Sequence, residues 1–372
     1  MNVPVFDLGR AVRRIESPLG DRWRRLLASS AFVLGPETRE LEAAFAAYLG
    51  AAGCVGVANG TDALTLAVRA LGVGAGDEVI VPAFSFFATA EAVLLAGGRP
   101  VFADVEPATF NLDLGAAAAL VGRRTVGIIA VHLYGRPFDA DAASALCDHH
   151  GLWLLEDAAQ AHGAAWGGRR AGTLGRLAAW SFYPTKNLGC FGDGGAITGG
   201  DLDLLESVRR LANHGQDRRY HHVAIGTNSR LDSLQAAVLN CRLPLLEADN
   251  ERRRVIAARY RRLLAGVGDL RFPDDPPAAV CVYHQLAVRT ARRDLLMAYL
   301  TQRGIGTAIH YPEPIPRQPA LSAAYPEAAE LPVAATAAAE LLCLPMFPEL
   351  RDEEVEAVCA AVADFFGQRG EG

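Results

Sequence analysis

Leu152-Trp153-Leu154-Leu155-Glu156-Asp157-Ala158-Ala159-Gln160 is the stretch on which the fold turns. It is a short apolar run that ends in two acids and then small residues. Such a run, with no polar alternation, predicts a strand buried on both faces, as in a parallel sheet. In open α/β sheets ligands sit at the carboxyl ends of strands, so the acids fall where chemistry is expected. An acid there can pair with a protonated ring nitrogen and keep a ring electron-poor, as an electron-sink cofactor requires. The plainer alternative is a capping aspartate.

The same texture extends outward. Cys54 to Ala58, Glu78 to Pro82, Pro100 to Asp104 and Val126 to Leu133 precede it as buried strands, and Leu177 to Tyr183 and Gly195 to Thr198 follow. Amphipathic helical segments lie between or before them: Pro36 to Leu49, Asp62 to Leu71, Phe87 to Ala96 and Asp141 to His150. The alternation predicts an α/β layer with a largely parallel central sheet. After Asn228 the chain turns helical to about Leu264, with a break at Pro244. A strand at Tyr283 to Arg289 and helices at Asp294 to Arg303 and Asp352 to Phe366 follow. A large domain over 1–245 and a small C-terminal α+β domain over 246–372 are expected.

The 372 residues carry a net charge of −6 and are 51% hydrophobic, which suits a globular chain with a sizeable core. Nothing in that balance calls for nucleic acid or an anionic membrane. The Arg252-Arg253-Arg254 cluster reads as a solvated helix face. The first twenty residues lack a signal-peptide layout, and no apolar run is long enough to span a bilayer. Seven scattered cysteines without a C-x-x-C pair predict reduced thiols, no zinc or other metal site, and a cytoplasmic location.

Of the 36 basic residues, one is lysine: Lys186. A coding bias explains the arginines. It also makes the survivor informative, because a guanidinium stays protonated whereas an ε-amine can act as a nucleophile. Lys186 sits in Ser181-Phe182-Tyr183-Pro184-Thr185-Lys186-Asn187-Leu188-Gly189, a turn after a strand, followed by Gly192-Asp193-Gly194-Gly195. Upstream, Ala58-Asn59-Gly60-Thr61-Asp62 joins a strand to a helix, and its N-terminus offers a phosphate cradle; an ordinary capped turn is the alternative. Amine, acid and cradle together make a coherent cofactor site.

These residues, with Val131-His132-Leu133-Tyr134-Gly135, Asn213-His214-Gly215, Asn228-Ser229-Arg230-Leu231-Asp232 and Ile309-His310-Tyr311-Pro312, resemble the DegT/DnrJ/EryC1/StrS sugar aminotransferases nearly end to end. That family is a branch of the fold-type I pyridoxal-phosphate enzymes. The resemblance implies that Lys186 forms the Schiff base with pyridoxal 5'-phosphate and that Asp157 pairs with the ring nitrogen. It implies that Gly60, Thr61 and Ser181 bind the phosphate, that Gln160 lies close to the ring and that Phe86 stacks on it. Asn228 matches a residue that reaches the phosphate of the neighbouring subunit, which implies a homodimer with shared sites. Tyr183, His310 and Tyr311 match regions near a nucleotide-linked sugar.

The implied reaction moves an amino group from L-glutamate to a nucleotide-linked keto sugar, with pyridoxamine 5'-phosphate between its two halves. Family members that remove a hydroxyl instead carry histidine where Lys186 stands. The form of residues 183–189 is more similar to enzymes of 3-keto-6-deoxy sugars than of 4-keto sugars, while Arg136 and Trp180 depart from the family pattern. A cyclitol ketone is an alternative acceptor. A regulatory pyridoxal-phosphate-binding protein without turnover is the alternative from another class. A nicotinamide enzyme is disfavoured because no G-x-G-x-x-G follows the first strand.

Overall fold

The computed structural model describes residues 2–325 and 331–367. Seven strands form the central sheet: β1 (Gly53–Val57), β2 (Glu78–Pro82), β3 (Arg99–Ala103), β4 (Thr125–Val131), β5 (Trp153–Asp157), β6 (Leu177–Ser181) and β7 (Gly195–Gly199). Their order across the sheet is β1-β7-β6-β5-β4-β2-β3. β7 pairs antiparallel with both β1 and β6, and the remaining pairs are parallel. Six strands therefore point their carboxyl ends to one edge. Helices cross over between them, notably Gly60–Ala70, Ala88–Leu95 and Ala140–His150. The mixed α/β layer predicted from the apolar runs is the observed fold.

Each strand is apolar because both faces are covered. Val79, Ile80, Val81, Ile128, Ile129 and Leu155 have no exposed surface. The helix Pro36–Leu49 opens with proline at its first turn and stops at Gly50, whose φ of 77° is costly for other residues. It buries Leu41, Phe45 and Leu49, and Phe45 meets Trp180 edge-on at 5.1 Å between ring centres. The large indole at 180 is thus core, its Nε1 donating to Thr198 Oγ1 at 2.8 Å.

Toward the C-terminus, Ser233–Arg242 and Leu246–Leu263 are separate helices joined by a 3₁₀ turn at Leu243–Leu245, where Pro244 interrupts the ladder. β8 (Leu286–Arg289) pairs antiparallel with β9 (Leu341–Leu344). β8 starts later than the sequence suggested because Tyr283, at φ 43°, cannot continue a strand. A second core joins Ile256, Tyr260, Leu296, Val358 and Phe365. Val3 belongs to it, and Leu321, Ala337 and Leu341 belong to the core of the large sheet, so the packing crosses residue 245 in both directions. Among the described residues no helix is long and apolar enough to cross a membrane.

Candidate active site

The reversed β7 builds the site. Gly195 lies opposite Val57 on one side and Ser181 on the other. The residues that leave β1 and β6 are therefore brought together. A Cβ at Gly60 would stand 2.7 Å from Ser181 Cβ, and one at Gly195 would stand 2.4 Å from the Asn59 carbonyl. Only glycine permits that approach. Asn59 caps the helix Gly60–Ala70, its Oδ1 accepting from Asp62 N at 2.8 Å. The amides of Gly60 and Thr61 begin the helix beside the Ser181 hydroxyl. Free amides, a helix N-terminus and hydroxyls are what a phosphate needs.

One strand over, the two acids of β5 separate because successive side chains point to opposite faces. Glu156 points into the core. It accepts from the amides of Gly172, Leu174 and Gly175 at 2.7–2.8 Å and meets His132 Nε2 at 2.9 Å. Asp157 faces the site. Thr89 Oγ1 donates to its Oδ2 at 2.8 Å and Ala159 N to its Oδ1 at 3.3 Å. Burial pushes its carboxyl up, partly offset by the Thr89 and Ala159 bonds and by the Lys186 charge. A buried carboxylate of this kind favours a cationic partner, and a protonated ring nitrogen supplies one.

Lys186 follows β6 in a turn closed by its own amide donating to the Tyr183 carbonyl at 2.8 Å. The side chain keeps some exposed surface, yet its amine is crowded by protein atoms. Burial pulls its pKa down to about 8, against the opposing pull of Asp157. At neutral pH a useful fraction is then neutral and nucleophilic. Asn187 pins the turn, donating to Asn250 Oδ1 at 2.9 Å and to the Val282 carbonyl at 3.0 Å.

Gln160 is buried, with Oε1 accepting from Tyr134 N at 2.6 Å and Nε2 donating to Tyr311 Oη at 3.2 Å. Phe86 is 52% exposed and meets Tyr311 at 5.8 Å between ring centres. Together with Ser85 and Ile315 they line a cleft of about 450 Å³. His310 is half-buried and Tyr183 is exposed on the Lys186 turn. Asn228 stands apart: it is exposed, opposite Asn213, with no described hydrogen bond to the group. A hollow of about 430 Å³ lined by Phe110, Arg271, Arg289 and Glu340 lies elsewhere, and Arg289 there is already paired with Glu340 at 2.7 Å.

Sequence reading missed Thr89, Asn187, Asn250 and the buried histidines. Thr89 had one signal, a hydroxyl in the first turn of a helix beside the Ser85-Phe86 stretch. His162 lies behind the Lys186 turn with no exposed surface, packed on Phe45, Trp180 and Phe182. Burial first, then the Lys186 charge, pulls its pKa down to about 3. The folded state holds it neutral while the unfolded chain protonates it near 6.5. The stability from this group is present above pH 6.5 and is lost as pH falls toward 3. Between pH 7.5 and 5 the loss is about 2 kcal/mol. Urea unfolding at the two pH values should show it, and His162→Leu should shrink the difference by that amount; an unchanged difference refutes the assignment.

A half-buried lysine of lowered pKa, a buried aspartate and a glycine-lined cradle stand together at one sheet edge, an arrangement that suits a pyridoxal-phosphate aminotransferase. The chain belongs to the DegT/DnrJ/EryC1/StrS aminotransferase family, whose pattern it matches over residues 15–363. It is 43% identical over 362 residues to the UDP-2-acetamido-2-deoxy-3-oxo-D-glucuronate aminotransferase of Pseudomonas aeruginosa, covering 97% of this chain and 100% of that one. It is 44% identical over 363 residues to the dTDP-3-amino-3,4,6-trideoxy-alpha-D-glucose transaminase of Streptomyces venezuelae, covering 98% and 96%. The crystal structure of S. venezuelae DesV in complex with a ketimine intermediate superposes over 100% of both chains, with 44% identity and a TM-score of 0.97. The protein is a transaminase whose cofactor is pyridoxal 5'-phosphate.

Proposed function

We propose that this enzyme moves an amino group from L-glutamate to C3 of a nucleotide-linked 3-keto-6-deoxy sugar. The observation that carries the reading is the Lys186 amine, lowered to about 8 and within electrostatic reach of the buried Asp157 carboxyl. The names of the two relatives, a 3-oxo-glucuronate aminotransferase and a 3-amino-3,4,6-trideoxy-glucose transaminase, support amination at C3 of a nucleotide-linked sugar, and the second supports a 6-deoxy one.

When bound, pyridoxal phosphate supplies a ring that takes up the electron pair of the donor carbon and carries the nitrogen between the half-reactions. Gly60, Thr61 and Ser181 would hold its phosphate, Asp157 its ring nitrogen, Phe86 one ring face, and Gln160 would lie at the ring edge. Lys186 would hold the cofactor covalently at rest. Once free, the neutral Lys186 Nζ would serve as the general base that takes the proton from the donor carbon. Tyr183, His310 and Tyr311 would border the sugar.

The active unit would be a homodimer in which Asn228 of each chain reaches the cofactor phosphate of the other. In its support, Asn228 is exposed, and Tyr220 and Ile225 in the segment before it are 79% and 85% exposed, an apolar surface that association would cover.

The test is to load the enzyme with cofactor, add L-glutamate, then supply UDP- or dTDP-linked 3-keto sugars, 4-keto sugars and a cyclitol ketone in parallel. Glutamate should shift the visible-edge band to shorter wavelength, and the 3-keto sugars should be aminated at least about tenfold faster than the others. No shift with glutamate refutes the donor. Preferential amination of the 4-keto sugar or the cyclitol refutes the acceptor.

A further inference from the structure

Tyr134 follows β4 in a tight 3₁₀ turn, Leu133–Gly135, with φ 60° and ψ 13°. Left-handed backbone is unfavourable for a bulky side chain and persists only where the surroundings impose it. Here they impose it from two sides. Tyr134 N–H donates to Gln160 Oε1 at 2.6 Å, and its buried hydroxyl donates to the His310 carbonyl. Gln160 Nε2 in turn donates to Tyr311 Oη at 3.2 Å, which closes a ring of contacts through Tyr134, His310, Tyr311 and Gln160. On the next residue, Val282 N donates to the Gly135 carbonyl at 2.9 Å, and a Cβ at Gly135 would stand 2.7 Å from Val282 Cγ2.

The ring ties a segment from the C-terminal part of the chain to the carboxyl edge of the sheet. Tyr311 also leans on Phe86 and meets Phe84 at 6.4 Å. None of these bonds reaches Lys186 or Asp157. We propose that Tyr134 is a positioning residue for the sugar half of the reaction: its hydroxyl fixes where the His310–Tyr311 segment stands over the cleft, and so how well the acceptor is held. The strain at Tyr134 is then explained, since the left-handed turn aims one hydroxyl at one carbonyl. This inference rests on the keto-sugar reading above.

The experiment compares Tyr134→Phe with wild type, both loaded with cofactor. It follows three readouts: the absorbance change with L-glutamate, KM and kcat for the nucleotide-linked keto sugar, and the Kd of the amino-sugar product by calorimetry. Phenylalanine keeps the packing and removes the donor, leaving a carbonyl unsatisfied. The expected result is a donor half-reaction within about twofold of wild type, with KM and product Kd both raised about tenfold and kcat little changed. Unchanged KM and Kd overturn the proposal. So does an equal fall of both half-reactions, which would mark Tyr134 as merely structural. If the Phe variant does not take up cofactor, Tyr134→Met, which also lacks the hydroxyl and fills the pocket with a flexible side chain, takes its place. The same split then supports the proposal, and an unchanged KM overturns it. A wild-type enzyme that aminates only another ketone refutes the acceptor reading instead, and the comparison is then made with that ketone.

Discussion

Lys186→Arg should bind phosphate-bearing ligands normally and turn over at least about 10⁴-fold more slowly than wild type. The substitution keeps the charge and most of the length, so an electrostatic or packing role would survive it. What it removes is an amine that can lose its proton. Burial brings the Lys186 pKa down to about 8, whereas a guanidinium stays protonated across the working range. The sequence makes a second readout unusually clean. Lys186 is the one lysine in 372 residues, so borohydride reduction of the cofactor-loaded enzyme should label one internal peptide, and the variant should lose that label. Residual turnover above about one per cent of wild type, or a label elsewhere, would remove Lys186 from the chemistry.

Asp157→Asn should lower the rate of the glutamate half-reaction by about 10²–10³-fold while leaving the fold intact. The amide is nearly isosteric and can still accept from Thr89 Oγ1, which now donates at 2.8 Å. The lost element is negative charge opposite the ring nitrogen. That charge is worth much here because the carboxylate is 5% exposed and held on one oxygen by Thr89 and on the other by the Ala159 amide. Cofactor absorbance titrated against pH gives an independent reading, since a neutral partner should let the ring nitrogen lose its proton at lower pH. An Asn variant with more than a tenth of wild-type rate and an unshifted titration would return Asp157 to the capping role that the sequence left open.

The sheet was legible because burial on both faces writes itself as apolar runs. Glu78–Pro82 and the helix Pro36–Leu49 have the bounds read from sequence. Leu341–Leu344 went unread because an alanine-rich helical stretch, Pro332–Glu340, runs straight into it with no turn residue between. Of the site, the lysine and the two acids could be found from residue chemistry, but which acid faces the cleft depends on strand phase. Thr89 holds Asp157 across 68 positions, and Arg136 meets Asp275 at 2.9 Å across 139. Arg136, conspicuous in the sequence, proves to bind the segment before β8 rather than the cleft. Nothing local in either stretch announces such a partner. Asn228 shows the opposite limit, since its proposed ligand belongs to another chain.

The reversed strand β7 also fixes an order of assembly. Its register joins Gly53 to Gly199 and Ser181 to Gly195, so β1 has no neighbour in the sheet until the chain has been made past residue 199. β2, β3, β4 and β5 need only residues up to Asp157 for their mutual pairing. During synthesis the half of the sheet that carries Asp157 can close first, while β1 and the phosphate cradle wait with an open edge. Non-local pairing of this kind is slow and exposes strands to wrong partners. Truncations ending before Gly195 should therefore leave the nascent β1 unpaired and prone to aggregation, a hazard that the arrangement of the finished site imposes on its own making.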